Sequence, residues 1–386
     1  MSELFKKAAN SINVPEIVEL KNKGVKIVGH TCSFVPVEIF YAADIVPVRL
    51  RGIETESMSI GDAYYGPFVC SFPKAVLQQA GKGGFSFLNG VVITSGCDGM
   101  RRLDECWRKM STDFEGTMPG LFTFLDVPHK PHDVALEWYE SRLRKLIKTI
   151  ENHFNVSITD EKLKNAISFQ NKIRVKIREL TDLRAENPVF ITGTEAFEAL
   201  IARTVLPADI FLEELSRLIE EVKNRKEPVS DGRKRLFVTG SICDDIGLVE
   251  QIEEKGAIVV GESVCYGMRN TTEMVSETED PVSALASHYL SGSICPRMFG
   301  YYEARRDAII SMVKETGANG VIMQNIRFCD LHGSENGLLE RDFEKEGIPS
   351  VRIEKEYGPL TDKGRLRMRV DAFLEQIGRK RRSFSA

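Results

Sequence analysis

Two doubly wound parallel-sheet α/β domains with a helical segment between them are what this 386-residue sequence predicts. Three observations lead there. Short apolar runs alternate with helical stretches up to about Val127. Strand signals then almost vanish between about His129 and Lys226. From Arg235 the first pattern starts again. Strand, helix, strand in succession argues for a parallel sheet covered by helices.

Taken in order, VKIVGH (25–30) reads as a strand, FVPVEIFYAADI (34–45) as an amphipathic helix and VPVRL (46–50) as a second strand. CSFPKAVLQQA (70–80) reads as a helix, with Pro73 tolerable in its first turn. LNGVVITS and LFTFLDVP are the third and fourth strands. In the middle, HDVALEWYESRLRKLIKTIENHF and TDEKLKNAISFQNKIRVKIREL carry apolar residues at helical spacing. The second opens on Thr159 as N-cap with acidic residues in its first turn. Beyond, RLFVTG is a strand, GLVEQIEEKG a helix ending on glycine, AIVVGE, NGVIMQN and PSVRIEK strands, and KGRLRMRVDAFLEQI a closing helix. The expected domains are 1–128 (α/β), 129–230 (helical) and 231–386 (α/β), the two α/β units being flavodoxin-like.

The composition, 42% hydrophobic with a net charge of −4, is that of a globular protein and gives no nucleic-acid surface. The basic tail GRKRRSFSA is short and reads as a solvated end. No stretch is long and apolar enough to span a membrane. The N-terminus reads as an amphipathic helix without the apolar core of a signal peptide, so the expected location is cytoplasmic. Thiols stay reduced there, and the eight cysteines are then fillers, reactive thiols or metal ligands rather than a disulfide framework.

Their placement separates them. Cys32, Cys97, Cys265 and Cys329 each fall just past an expected strand end, two in each half. In an open parallel sheet that is where ligands bind. Cys70 sits at a helix start, where backbone N–H groups and the macrodipole favour a thiolate. Cys295 precedes Pro296, a neighbourhood common among iron–sulfur ligands. Cys106 shares a helical stripe with Met100, Leu103, Trp107 and Met110 and reads as a core thiol. Cys243 also follows a strand, but Asp244 and Asp245 would raise its pKa and make it a poorer ligand. Six candidates remain: Cys32, Cys70, Cys97, Cys265, Cys295 and Cys329. There is no close CxxC pair of the zinc type, and scattered thiols with little histidine suit an iron–sulfur cluster better. On spacing alone, six unliganded buried thiols remain the alternative.

GHTCSFVPVEIFYAADIVPVRL, GDAYYGPFVCSFPKAVL and VVITSGCDGMRRL, followed by VVGESVCYGMRN, VIMQNIRFCDLHGSE and EKEYGPLTDKGRLRMRVDAFLEQI, resemble the family of 2-hydroxyacyl-CoA dehydratases and benzoyl-CoA reductase subunits over nearly the whole chain. The resemblance implies ligand positions at Cys70, Cys97 and Cys329. Cys32, Cys265 and Cys295 look like the extra thiols of the double-cubane cluster branch, in which one subunit holds two bridged 4Fe-4S cubanes, an 8Fe-9S cluster. The GDAYY phrase is more similar to the benzoyl-CoA reductase subunits. The family further implies a separate ATP-hydrolysing iron–sulfur activator that supplies electrons, a small-molecule substrate, which in the family can be an acyl-CoA, and a homodimer. The sequence has no GxxxxGK[ST] phosphate loop; QQAGKGGFS lacks both the first glycine and the Ser/Thr.

Three readings follow: an oxygen-sensitive double-cubane reductase, a subunit holding a single 4Fe-4S cluster and acting on a CoA thioester, or a non-enzymatic small-molecule binding module with free thiols. Among neighbouring residues, Asp98 reads as a helix-start carboxylate, and Arg101 and Arg102 either as a solvated helix face or as cations for cluster charge or an acidic substrate. Arg269 and Arg297 stand close to ligands, where a cation would raise a cluster's potential. His30 and His332 are candidates for moving protons. Nothing marks Glu38 as a base.

Overall fold

The computed structural model describes residues 2–114, 116, 118–269, 273–358 and 363–383. The end of the basic tail, from residue 384, lies outside them. The elements run α1 (Glu3–Asn10), α2 (Pro15–Asn22), β1 (Lys26–His30), α3 (Glu38–Tyr41), β2 (Ile45–Arg49), α4 (Ser59–Tyr64), α5 (Ser71–Gly81), β3 (Gly90–Thr94), α6 (Asp98–Asp113) and β4 (Leu121–Leu125). Four helices follow: α7 (Asp133–Phe154), α8 (Asp160–Ala185), α9 (Gly193–Ala202) and α10 (Ala208–Lys223). The chain ends with β5 (Lys234–Gly240), α11 (Ile246–Glu254), β6 (Ala257–Ser263), α12 (Pro281–Ser291), α13 (Tyr302–Glu315), β7 (Gly320–Ile326), α14 (Asp330–Lys345), β8 (Ser350–Lys355) and α15 (Lys363–Ser383).

Both sheets are four-stranded and parallel, in the orders β2-β1-β3-β4 and β6-β5-β7-β8. The repeated 2-1-3-4 order is that of the flavodoxin-like doubly wound fold, so the expected fold class is what the chain adopts. The strand order reverses between β1 and β3 in one sheet and between β5 and β7 in the other, opening a crevice at each carboxyl edge. Pro47 lies in β2, an edge strand, where a missing N–H is tolerated.

Two local expectations change. The segment from Phe34 to Ile45 forms only the single turn α3. Pro36 interrupts it early, Asp44 at φ 57° ends it, and Phe34, Val35, Ile39 and Phe40 bury themselves without a continuous helix. The N-terminal amphipathic stretch is two helices broken at Ser11–Val14, with Pro15 opening the second. Thr159 caps α8 as expected, its Oγ1 accepting from the Lys162 N–H at 3.3 Å.

Candidate metal centre

The carboxyl edges of the sheets place the cysteines. Cys32 lies two residues past β1 and Cys265 two past β6. Cys97 and Cys329 follow β3 and β7 and are themselves the N-caps of α6 and α14. Cys70 is the N-cap of α5, and Cys295 lies between α12 and α13. The sulfurs of the three capping cysteines stand at the positive ends of three helices, where first-turn N–H groups of Phe72, Met100, Leu331 and His332 favour the charged thiol.

The six thiols fall into two groups of three. Cys97 is pushed up by burial and then by Cys70 and Cys329, and Cys70 feels Cys329 most after burial. These three also pack on one hydrophobic cluster. Cys295 is pushed up to about 12 by burial, then by Cys265 and Cys32. Cys32 and Cys295 share a second hydrophobic cluster. The groups touch electrostatically, through Cys32 on Cys97 and Cys265 on Cys329. A Cβ added at Gly96, beyond β3, would come within 3.5 Å of the Cys32 sulfur, so these strand exits lie side by side.

Burial overrules the helix ends. The start of α5 favours a thiolate at Cys70, but desolvation raises the thiol to about 12, against the lowering by the Phe72 N–H. Cys329 is likewise raised, to about 11. Burial raises the Cys243 thiol most, and Asp245 and Asp244 raise it further, as expected. It is 2% exposed in the C-terminal core and rises to about 12 chiefly through burial, Lys355 pulling the other way. Its neighbouring carboxylates are engaged elsewhere, Asp244 with Arg51 and Asp245 with Lys355. Cys106 is not the core filler of its helix: Trp107 takes that place, and the half-buried thiol donates to the Tyr64 carbonyl at 3.5 Å.

Arginines brace both edges. Arg297 bonds the carbonyls of Ser95, Val127 and Pro128 beyond β3 and β4 and stacks on Phe34 at 4.8 Å. Arg269 bonds the carbonyls of Gly240 and Ser263 at the ends of β5 and β6 and reaches the Cys265 sulfur at 3.6 Å. Two more were missed in the sequence. Arg49, from the end of β2, donates to the Cys265 carbonyl at 2.7 Å and stacks on Tyr266 at 4.0 Å. Arg305 donates to the Cys295 carbonyl at 3.1 Å. An arginine ending the apolar run VPVRL was the one available signal for Arg49.

The remaining candidates resolve simply. Burial and Arg49 push His30 down to about 3, and burial with Arg269 and Arg305 lowers His332, so both stand neutral at physiological pH. Glu38 is fully buried but stays ionised, because Arg174 at 2.6 Å outweighs desolvation; Tyr289 also donates to it. Asp98 is exposed in the first turn of α6, and Arg102 pairs with Glu105 at the surface.

What could such a site hold? No disulfide joins the eight cysteines. Among the described residues no three His, Cys, Asp or Glu side chains are grouped as the ligands of a single metal ion. An all-thiol donor set in two groups of three fits iron–sulfur clusters, and soft thiolates disfavour hard cations. No described helix is long and apolar enough to cross a membrane.

A profile described as "2-hydroxyglutaryl-CoA dehydratase, D-component" matches residues 32–377. The chain is 26% identical to the beta subunit of (R)-phenyllactyl-CoA dehydratase from Clostridium sporogenes, over 93% of each chain. It is 24% identical to one of the benzoyl-CoA reductase subunits of Thauera aromatica, over 84% of each. It is also 24% identical to the beta subunit of (R)-2-hydroxyglutaryl-CoA dehydratase from Acidaminococcus fermentans, over 94% of this chain and 95% of that one. With a profile match running from the first site cysteine into the last helix, the chain belongs to the 2-hydroxyglutaryl-CoA dehydratase D-component family of dehydratase and reductase subunits.

Proposed function

We propose that the protein is an iron–sulfur enzyme whose six strand-end and loop thiols hold a double-cubane cluster between the carboxyl edges of its two sheets. The observation that carries this reading is that six thiols from the carboxyl edges of both sheets act on one another, Cys97 with Cys70, Cys329 and Cys32, Cys329 with Cys265, and Cys295 with Cys265 and Cys32. Three thiols for each of two cubanes is the ligand number the double-cubane resemblance implies. When bound, such a cluster supplies low-potential one-electron chemistry.

The chain's own residues hold and condition the site. Arg49, Arg269, Arg297 and Arg305 put fixed positive charge on the carbonyls and sulfur around the second triad, and three helix N-termini do so at the first. The partly buried thiols pack against apolar clusters. A separate ATP-hydrolysing activator delivers the electrons, a small substrate receives them, and the protein works as a cytoplasmic homodimer; these parts rest on the family resemblance.

A second reading draws support from the relatives' names: a subunit with a single 4Fe-4S cluster on Cys70, Cys97 and Cys329, acting on a CoA thioester with a partner subunit. Iron and acid-labile sulfide per chain, measured on anaerobically purified protein, separate the two. About eight irons with slightly more sulfide is the expected result; about four selects the single-cluster subunit. A colourless, iron-free protein would sink both.

A further inference from the structure

Behind the second triad lies a partly open pocket. Its inner part has about 70 Å³ of room. One water needs about 10–15 Å³ on that measure, so the inner part takes a group of a handful of heavy atoms. Cys265 lies on one wall, with Arg49, Arg269, Arg203 and Gln170 around it.

The charge there is unbalanced. Arg49 and Arg269 are each 4% exposed, and the Nε of each is buried without a partner. Arg203 makes no side-chain hydrogen bond or ion pair among the described residues, and neither does the Gln170 amide, which is 3% exposed. Of the acids nearby, Glu38 is engaged by Arg174 and Tyr289 and Asp244 by Arg51 and Tyr357, while Asp209, at the start of α10, acts on Tyr41 from the exposed side. A buried cation without a counter-charge is expensive, and such groups are normally paired; this applies to Arg49 and Arg269, while Arg203 is half-buried at the same wall.

Two simpler explanations of Arg203 fail. It is the C-cap residue of α9, where a cation favours the dipole, but a capping arginine would bond the last carbonyls and this one does not. Nor does it serve the sulfurs. The charges acting on it most are Arg174, Tyr289, Glu38 and Tyr41, whereas Arg49 feels Cys265 and Cys32.

We propose that this cavity is a binding site for a small planar oxyanion of the short-carboxylate class, with Arg203 as its principal donor and Arg49 and Arg269 completing the field. The guanidinium fork matches a carboxylate in a bidentate fashion, and Gln170 supplies a neutral donor. The inference deepens the proposed function, because the bound anion would lie against the wall formed by Cys265. The site itself is built from the chain alone.

The test is calorimetric titration of acetate, and separately of nitrate, into full-length, reduced, metal-free protein in chloride-free HEPES buffer. Saturable one-site binding is expected. Arg203→Gln should weaken it at least about tenfold, as loss of a charged hydrogen-bond donor does. Arg203→Lys, which keeps the charge and loses the fork, should fall between, and the surface change Arg217→Gln should have no effect. Melting curves identify a variant that does not fold; in that case Gln170→Leu, expected to weaken binding severalfold, takes its place. Absence of saturable binding, equal binding by Arg203→Gln, binding only after iron loading, or competition by acetyl-CoA would each overturn the proposal. Iron uptake is measured on the same proteins. Anion binding by a protein that takes up no iron would end the cluster reading and leave the anion site standing.

Discussion

Cys97 and Cys243 both follow a β-strand, yet their surroundings assign them different work. Cys97 shares its environment with Cys70, Cys329 and Cys32, whereas Cys243 is enclosed by Leu236, Val238, Ile246 and their neighbours. Cys97→Ser should therefore lower iron content markedly while Cys243→Ser leaves it intact, as iron analysis of the two variants would show. Equal loss would refute the sorting. Glu198 offers a residue-scale test away from the site. It is 2% exposed on α9, and burial, then Glu250, Glu195 and Glu3, raise it to about 7, Lys6 opposing. The unfolded carboxyl releases its proton near pH 4.3 and the folded one near 7, so the native state binds more protons between those values. The stability this group contributes is complete below about pH 4.3 and is lost as pH rises through 7. Glu198→Gln should leave stability unchanged at pH 4 and raise it at pH 8 by on the order of 2 kcal/mol, read from denaturant melts at both pH values.

At the scale of elements, function sits where strands stop and helices begin. The thiols capping α5, α6 and α14 combine a sulfur donor with a helix end in a single residue. Phe328, next to Cys329, has φ 62°, a conformation that a bulky side chain adopts only under constraint from its surroundings. Its ring meets Phe68 edge-on at 5.7 Å, close to Cys70 in sequence. The end of β5 is tighter still. Gly240 has φ 137°, and a Cβ there would fall 1.8 Å from the Gln324 carbonyl oxygen of β7. Gly240→Ala has to separate β5 from β7 at the carboxyl edge where Arg269 takes the Gly240 carbonyl. We expect a loss of about 3 kcal/mol or more, measurable by urea denaturation, with impaired iron loading because the strand ends move apart.

Across the whole molecule, buried charge joins the two halves. Arg51, beyond β2, pairs with Asp244, beyond β5, at 2.8 Å, and both are almost fully enclosed. Tyr357 donates to the same carboxylate at 2.7 Å, and Arg51 also bonds the carbonyls of Ala8 and Ala9 at the end of α1. Tyr266 donates to the Leu50 carbonyl at 2.7 Å alongside. One arginine thus ties the N-terminal helix, the first sheet and the second sheet together. Arg51→Met leaves Asp244 buried with one partner and should cost about 3–5 kcal/mol. Adding Asp244→Leu should restore part of that loss, because no uncompensated charge remains. If the double variant were no more stable than the single one in denaturation experiments, the pair would not be the link between the halves.

The sequence by itself determined the two parallel sheets, the helices between them and the strand-end positions of four cysteines. Those follow from apolar periodicity and from turn and cap residues, which act within a few positions of one another. Its cysteine contexts also carried the family. It did not determine that α3 would be a single turn, or that Trp107 rather than Cys106 would fill the core face of α6, since both depend on what packs against them. Only the tertiary structure decided that Cys32, Cys70, Cys97, Cys265, Cys295 and Cys329, from both sheet edges, act on one another. The same holds for Arg49 and Arg305 at those thiols, for the burial that raises Cys70 against its helix dipole, and for the cavity around Arg203. Each depends on how one sheet edge faces the other and on how deeply it is buried, and desolvation and convergence are properties of the assembled surface rather than of any local stretch of chain.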